Sequence, residues 1–178
     1  MGRRKQRPQT NTAREIGASF ARERPDLDPD DYLHLIYIRR LGRLFDRIDH
    51  QYSQERFGVG GADMRVLRVL RCAGPPYARR PTELFRALLV TSGAITKQVD
   101  RLVAAGLVER RPDPSHAGGF LIQLTDRGFA MADESLTGLA RGFPLVGDPS
   151  PLGVRERRKL TQLCEEMLAA IEARLAIG

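Results

Sequence analysis

Apolar residues recur at three- and four-residue steps through most of this chain, and prolines, glycines or capping side chains bound each run. From Tyr32 the steps pass through Leu35, Ile36, Ile38, Leu41, Leu44, Phe45 and Ile48 to Tyr52, which predicts an amphipathic helix over 31–56. Gly58, Gly60 and Gly61 end it. Met64, Leu67, Val69 and Leu70 predict a second helix, 62–73, stopped by Gly74-Pro75-Pro76. Pro81 suits the first turn of a third helix, 81–88, which buries Leu84, Phe85 and Leu88. Ile95, Val99 and Leu102 stripe a fourth, 91–105, with Thr91 or Ser92 supplying the N-cap oxygen. Upstream, 12–23 has Thr12 and Glu15 at capping-box spacing, with Ala13, Ile16, Gly17 and Phe20 on one face. After Gly106 the period changes. Leu107–Arg111 and Phe120–Leu124 are strand-like, and Pro112, Pro114, Gly118 and Gly119 between them predict a hairpin. Thr125 caps a helix from 126 to about 140. A Gly/Pro loop follows, then a last helix, 153–176, with Leu160, Leu163, Cys164, Met167, Leu168, Ile171 and Leu175 on one face.

This order gives the fold class: mainly α with a small β-hairpin wing. A short helix, the turn Leu88-Leu89-Val90, a polar-capped second helix and a hairpin form a winged helix-turn-helix. The long helices at either end present apolar faces wider than a small monomer core needs. They are expected to pair across a two-fold axis as dimerisation helices of a homodimer. The expected domains are a basic N-terminal arm and short helix, 1–24; a helical dimerisation region, 25–60 and 126–178; and a DNA-binding domain, 61–125.

Charge sharpens this picture. The 178 residues carry 29 Lys+Arg against 22 Asp+Glu, net +7, and the excess is localised. Residues 1–24 and 61–130 are each net +5, whereas 25–60 and 131–178 are net −2 and −1. A positive middle segment is what phosphate backbones require of a partner, so double-stranded DNA is the expected one. On the helix 91–105, the side opposite Ile95 holds Gly93, Lys97, Asp100, Arg101 and Ala104, with Thr96 at its edge. Small residues there admit crowded phosphates, hydroxyls reach base edges, and the helix N-terminus offers backbone N–H groups to phosphate. The expected DNA contacts are Thr91, Ser92, Gly93, Thr96, Lys97 and Arg101, with Arg110 and Arg111 at the wing.

Other classes are excluded or subordinate. No apolar run approaches the ~20 residues of a membrane helix, and no apolar stretch follows the basic MGRRKQR start as a secretory signal would require. Two distant cysteines, Cys72 and Cys164, give no disulfide framework, so a reducing cytoplasm is expected. His34, His50 and His116 share no metal-ligand spacing with a cysteine, and neither a cofactor fingerprint nor a catalytic constellation is present; no metal, cofactor or enzymatic activity is expected. A redox-responsive regulator acting through Cys72, which lies beside Arg71, or a metal-responsive regulator on the same fold, is the alternative; for Cys72 a half-buried, merely packed side chain is the plain reading. A winged-helix module for protein or RNA contact is a third.

The stretch RCAGPPYARRPTELFRALLVTSGAITKQVDRLVAAGLVERRPDP, with GGFLIQLTDRG after it, resembles the MarR family of bacterial transcriptional regulators. The resemblance implies an obligate homodimer whose two recognition helices read half-sites of a palindromic operator. It also implies repression, relieved by a small, commonly aromatic effector. In detail the chain is similar to the urate-responsive branch, which pairs a Trp in an extra N-terminal helix with an Asp and an Arg. Those last two positions align with Arg65 and Gln98 here, and the chain has no Trp. Arg65 therefore either favours an anionic ligand, such as an aromatic carboxylate, or simply points to solvent or DNA. Tyr32 and Met64 are further candidate pocket walls, with Tyr37, Phe45, Tyr52 and Cys72. The wing tip, Ser115-His116-Ala117-Gly118-Gly119, has Ala117 and Gly118 where family wings carry arginines for the minor groove.

Overall fold

Pro29 and the aspartates around it decide how the first long helix begins. In the computed structural model, which describes residues 12–142 and 152–175, the Asp28 carboxylate accepts the Asp30 N–H at 2.9 Å and a 3-10 turn forms over Pro29–Asp31. The long helix expected from residue 31 therefore starts two residues later, as α2, Leu33–Phe57. Before it, α1 spans Thr12–Glu23 and lies close on α2: a Cβ at Gly17 would stand 2.4 Å from Leu33 Cδ2, and the Phe20 and Tyr32 rings are 5.8 Å apart. Gly58, in the left-handed conformation with φ 68°, closes α2.

The following elements are α3 (Gly61–Cys72), β1 (Ala78–Arg79), α4 (Pro81–Leu88), α5 (Ser92–Ala104), β2 (Val108–Pro112), β3 (Phe120–Leu124), α6 (Asp126–Gly142) and α7 (Val154–Leu175). The sheet has three strands in the order β1-β3-β2, all antiparallel, not the two of a bare hairpin. β1 pairs Ala78 with Gln123 and Arg79 with Ile122, and a two-residue strand carries no alternation to read. The basic arm before Thr12, and most of the Gly/Pro loop before α7, lie outside the described residues.

α3 is the centre of the core. Met64, Val66, Leu67 and Leu70 are fully buried. Around them lie Leu84 of α4, Ile95, Val99 and Leu102 of α5, and Leu107, Val108, Ile122 and Leu124 of the wing base. Val66 is buried where the single-face reading placed Val69, because α3 packs against α2, α4, α5 and β3 and so has more than one covered side. Each fully buried leucine contributes about 1.5–3 kcal/mol.

Two polar joints fix α2 to α3. Arg68 Nη1 donates to Asp49 Oδ1 at 2.8 Å, with Ser53 beside them, and all three residues are buried. A Cβ on Gly61 would come within 2.9 Å of the His50 backbone, so only glycine permits this approach, and the Gly61 N–H donates to His50 Nδ1 at 3.3 Å. Past the wing, a Cβ on Gly128 would stand 1.9 Å from the Leu107 carbonyl oxygen.

The described residues form two compact units, one ending at Met131 and the other beginning at Ala132. In the first, Leu35, Ile38, Leu41, Leu44 and Phe45 of α2 are exposed. In the second, α7 contains no buried residue and exposes Leu160, Leu163, Leu168, Ile171 and Leu175. Cys164, on that same stripe, is exposed as well.

Candidate nucleic-acid interface

α4 ends at Leu88 because Leu89 turns left-handed, φ 52° and ψ 44°. Its N–H donates to Arg86 O at 3.2 Å, and the Val90 N–H donates to Phe85 O at 3.1 Å. Thr91 then caps α5, its Oγ1 accepting the Ala94 N–H at 3.2 Å. This tight turn, with Leu89 exposed at its corner, seats α5 across α4. Ile95, Gln98, Val99 and Leu102 of α5 face inward. Thr91, Ser92, Gly93, Thr96, Lys97 and Arg101 all lie exposed, and a Cβ at Gly93 would meet nothing within 4 Å. The Thr96 hydroxyl donates back to Ser92 O at 3.0 Å, which leaves its lone pairs and methyl outward.

The cations of this face differ in what already holds them. Arg101 reaches Asp63 of α3 with Nε–Oδ2 at 2.8 Å and Nη2–Oδ1 at 2.5 Å, a fork that raises its pKa above the ordinary arginine value. Arg110 pairs with Asp100 at 2.5 Å and lies 5.8 Å over the Phe120 ring; Arg111 pairs with Glu109 at 2.7 Å. Lys97 makes no hydrogen bond or ion pair among the described residues. Nor does the side chain of Arg86 of α4, which is exposed.

The wing is set from outside itself. Arg80, just before α4, donates through Nε to Asp113 Oδ2 and through Nη2 to Ser115 Oγ, both at 2.6 Å. Ser115 closes the ring, its Oγ and N–H donating to Asp113 Oδ1 at 2.6 and 2.9 Å. The Arg80 guanidinium, followed by these two Ser115 donors, holds the Asp113 carboxyl well below the usual carboxylate range. Gly118, at φ 77°, turns the tip, and His116 stands exposed on it.

Comparison with known proteins agrees with this geometry. The MarR family profile matches residues 57–117. Over 118 residues the chain is 34% identical to the HTH-type transcriptional regulator PecS of Dickeya dadantii (strain 3937), covering 66% of this chain and 70% of PecS. The chain belongs to the MarR family. It is a DNA-binding transcriptional regulator and not an enzyme. With the multiple antibiotic resistance protein MarR of Escherichia coli (strain K12) it shares 37% identity over 101 residues, 53% of this chain and 67% of that one. The crystal structure of a mutant MarR from E. coli complexed with operator DNA superposes with a TM-score of 0.63 at 30% identity, covering 74% of this chain and 91% of that one. AbsC of Streptomyces coelicolor, at TM-score 0.69 and 16% identity, shares the fold.

The four residues expected to contact an effector in this MarR-family chain do not line the cleft beside Arg101. Met64 is fully buried core and forms no pocket wall. Arg65 is spent on an ion pair with Asp46 of α2. Gln98 is buried, and its Oε1 has no hydrogen-bond partner among the described residues. The Tyr32 ring lies against Phe20, and its hydroxyl is buried without a partner. The cleft itself, about 440 Å³, opens between the end of α2, the start of α3 and the end of α5. His50, Gln54, Gly60, Asp63 and Arg101 are on its wall. Asp63, in the first turn of α3, is the buried half of the pair with Arg101, and nothing in local sequence joins positions 38 apart.

Cys72 is exposed, not half-buried. Its neighbour Arg71 is drawn over the Phe129 ring at 4.5 Å. Among the described residues no three His, Cys, Asp or Glu side chains gather as a metal site, and no helix is long and apolar enough to cross a membrane.

Proposed function

We propose that this regulator is a repressor, binds a palindromic operator as a homodimer, and is released by a small anionic effector, aromatic in the first instance. The observation that carries the DNA reading is the outward face of α5, polar and small from Thr91 to Lys97, held on the α4–α5 turn inside the net +5 segment. Ser92 and Gly93 lie where phosphate can approach the helix N-terminus, Thr96 faces the groove floor, and Lys97 reaches the phosphate backbone. Arg110 and Arg111 would meet the backbone at the wing, exchanging intramolecular carboxylates for phosphate. The exposed apolar rows of α2 and of α7 support self-association, since contiguous apolar patches of this kind are seldom left to water.

The effector reading rests on the cleft beside Asp63 and Arg101. A bound anion there competes with Asp63 for the Arg101 guanidinium, and Arg101 belongs to the recognition helix. Such a ligand lowers DNA affinity only as far as it prefers the displaced helix.

The deciding experiment is fluorescence anisotropy with DNA from the protein's own upstream region against scrambled DNA of equal length, over a salt series. A complex of two chains that persists after scrambled DNA has dissociated supports the proposal. Equal affinities that vanish together would mean phosphate attraction alone.

A further inference from the structure

The segment His34–Phe45 of α2 carries three arginines and no carboxylate. Arg39, Arg40 and Arg43 stand at spacings that bring them together on a helix, and like charges at such spacings repel. None of the three makes a hydrogen bond or ion pair among the described residues. The nearest carboxylate along the chain, Asp46, is engaged by Arg65. These guanidinium groups surround a cavity of about 310 Å³ whose remaining lining is Ile16 of α1 and Ile36 of α2. The close approach of Gly17 to Leu33 and the tilted Phe20–Tyr32 ring pair hold α1 on α2, so Ile16, exposed, and Ile36, half-buried, stand side by side at the arginines before anything binds.

We infer that this α1–α2 cavity is a binding site for a small organic dianion: a doubly charged head held by the arginines and a compact apolar body on the two isoleucines. Three guanidinium groups without a partner among the described residues exceed what one carboxylate neutralises. Their planar forks match the oxygens of a phosphate monoester, and an apolar floor distinguishes an organic ester from the free ion. The volume is at the small end of ligand pockets, which limits the body to about one ring. The site is separate from the cleft beside Arg101 and does not depend on the effector reading.

The test uses the full-length chain and three probes: phenyl phosphate, inorganic phosphate and benzoate, titrated calorimetrically at low salt and a pH of about 7.5, where the monoester is dianionic. Phenyl phosphate is expected to bind once per chain, about tenfold tighter than either other probe, and the double variant R39Q/R43Q is expected to lose about tenfold or more. In the unaltered protein, phenyl phosphate should also slow phenylglyoxal labelling of Arg39, Arg40 and Arg43, which needs no variant to fold. Phenyl phosphate binding no tighter than inorganic phosphate would overturn the inference, as would affinity that survives R39Q/R43Q or labelling without protection. A change in oligomeric mass on R39Q/R43Q would overturn it differently, by assigning the arginines to contact between copies of the chain.

Discussion

Arg101 and Asp63 meet across 38 residues of sequence as a two-point fork, one partner on the recognition helix and the other at the start of the central helix. Arg101 is thereby a brace for α5 as well as an exposed cation. A urea-unfolding double-mutant cycle on R101A and D63A should give a coupling of about 1 kcal/mol, the exposure of the arginine keeping it modest. Binding of R101A to operators changed one base pair at a time should weaken evenly. Relaxed preference at one position alone would show that the arginine leaves Asp63 to read a base.

Lys97 has no partner among the described residues to give up on binding DNA. K97Q should weaken specific and scrambled DNA alike, and the slope of log affinity against log salt should shrink by about 1. A loss confined to the operator would make Lys97 a base reader.

Gly93 and Gly128 separate function from packing. G93A adds a methyl where nothing lies within 4 Å, so thermal stability should hold or rise slightly while DNA affinity falls through crowding at the helix N-terminus. G128A drives a Cβ to within 1.9 Å of the Leu107 oxygen, and should cost about 1–3 kcal/mol or more, seen as a lowered Tm.

The buried Asp49–Arg68 pair should be costly to break from one side. D49A leaves the Arg68 guanidinium charged in the core, and chemical denaturation should register about 3–5 kcal/mol. A double apolar replacement that recovers none of this would count against the pair as the cause.

The wing clasp has a pH signature. Because Asp113 is held below its ordinary value, its carboxylate contributes stability that is complete above about pH 5 and is lost as the pH falls through the acid range. The stability difference between the unaltered chain and D113N should therefore be constant near neutrality and shrink on acidification. A difference that grows in acid would reverse the sign and refute the clasp.

Much of this was legible in the sequence because it is local. The three- and four-residue steps place α3, α4 and α5, and the change of period after Gly106 places the β2–β3 pair, to within a residue or two; the Thr91 cap and Pro81 start are single-residue signals. What escaped is long-range. β1 is too short to alternate and is recognisable only by its pairing with β3, next to which the Tyr77 carbonyl accepts the Leu124 N–H and the Pro76 carbonyl accepts from the Gln123 side chain. Asp49, Asp63 and Asp113 look like surface acids until their arginines arrive from other elements. The effector residues were placed by alignment to a branch whose tryptophan is missing, and the fold then gave Met64 to the core and Arg65 to Asp46.

The close seating of Gly61 on His50 has a mechanical meaning. With the buried Asp49–Arg68 bond it holds α2 against α3, and the Asp63 fork continues the linkage to α5 through a more exposed pair. α2, α3 and α5 are thus joined in series, with the exposed Arg101 fork the weakest polar link.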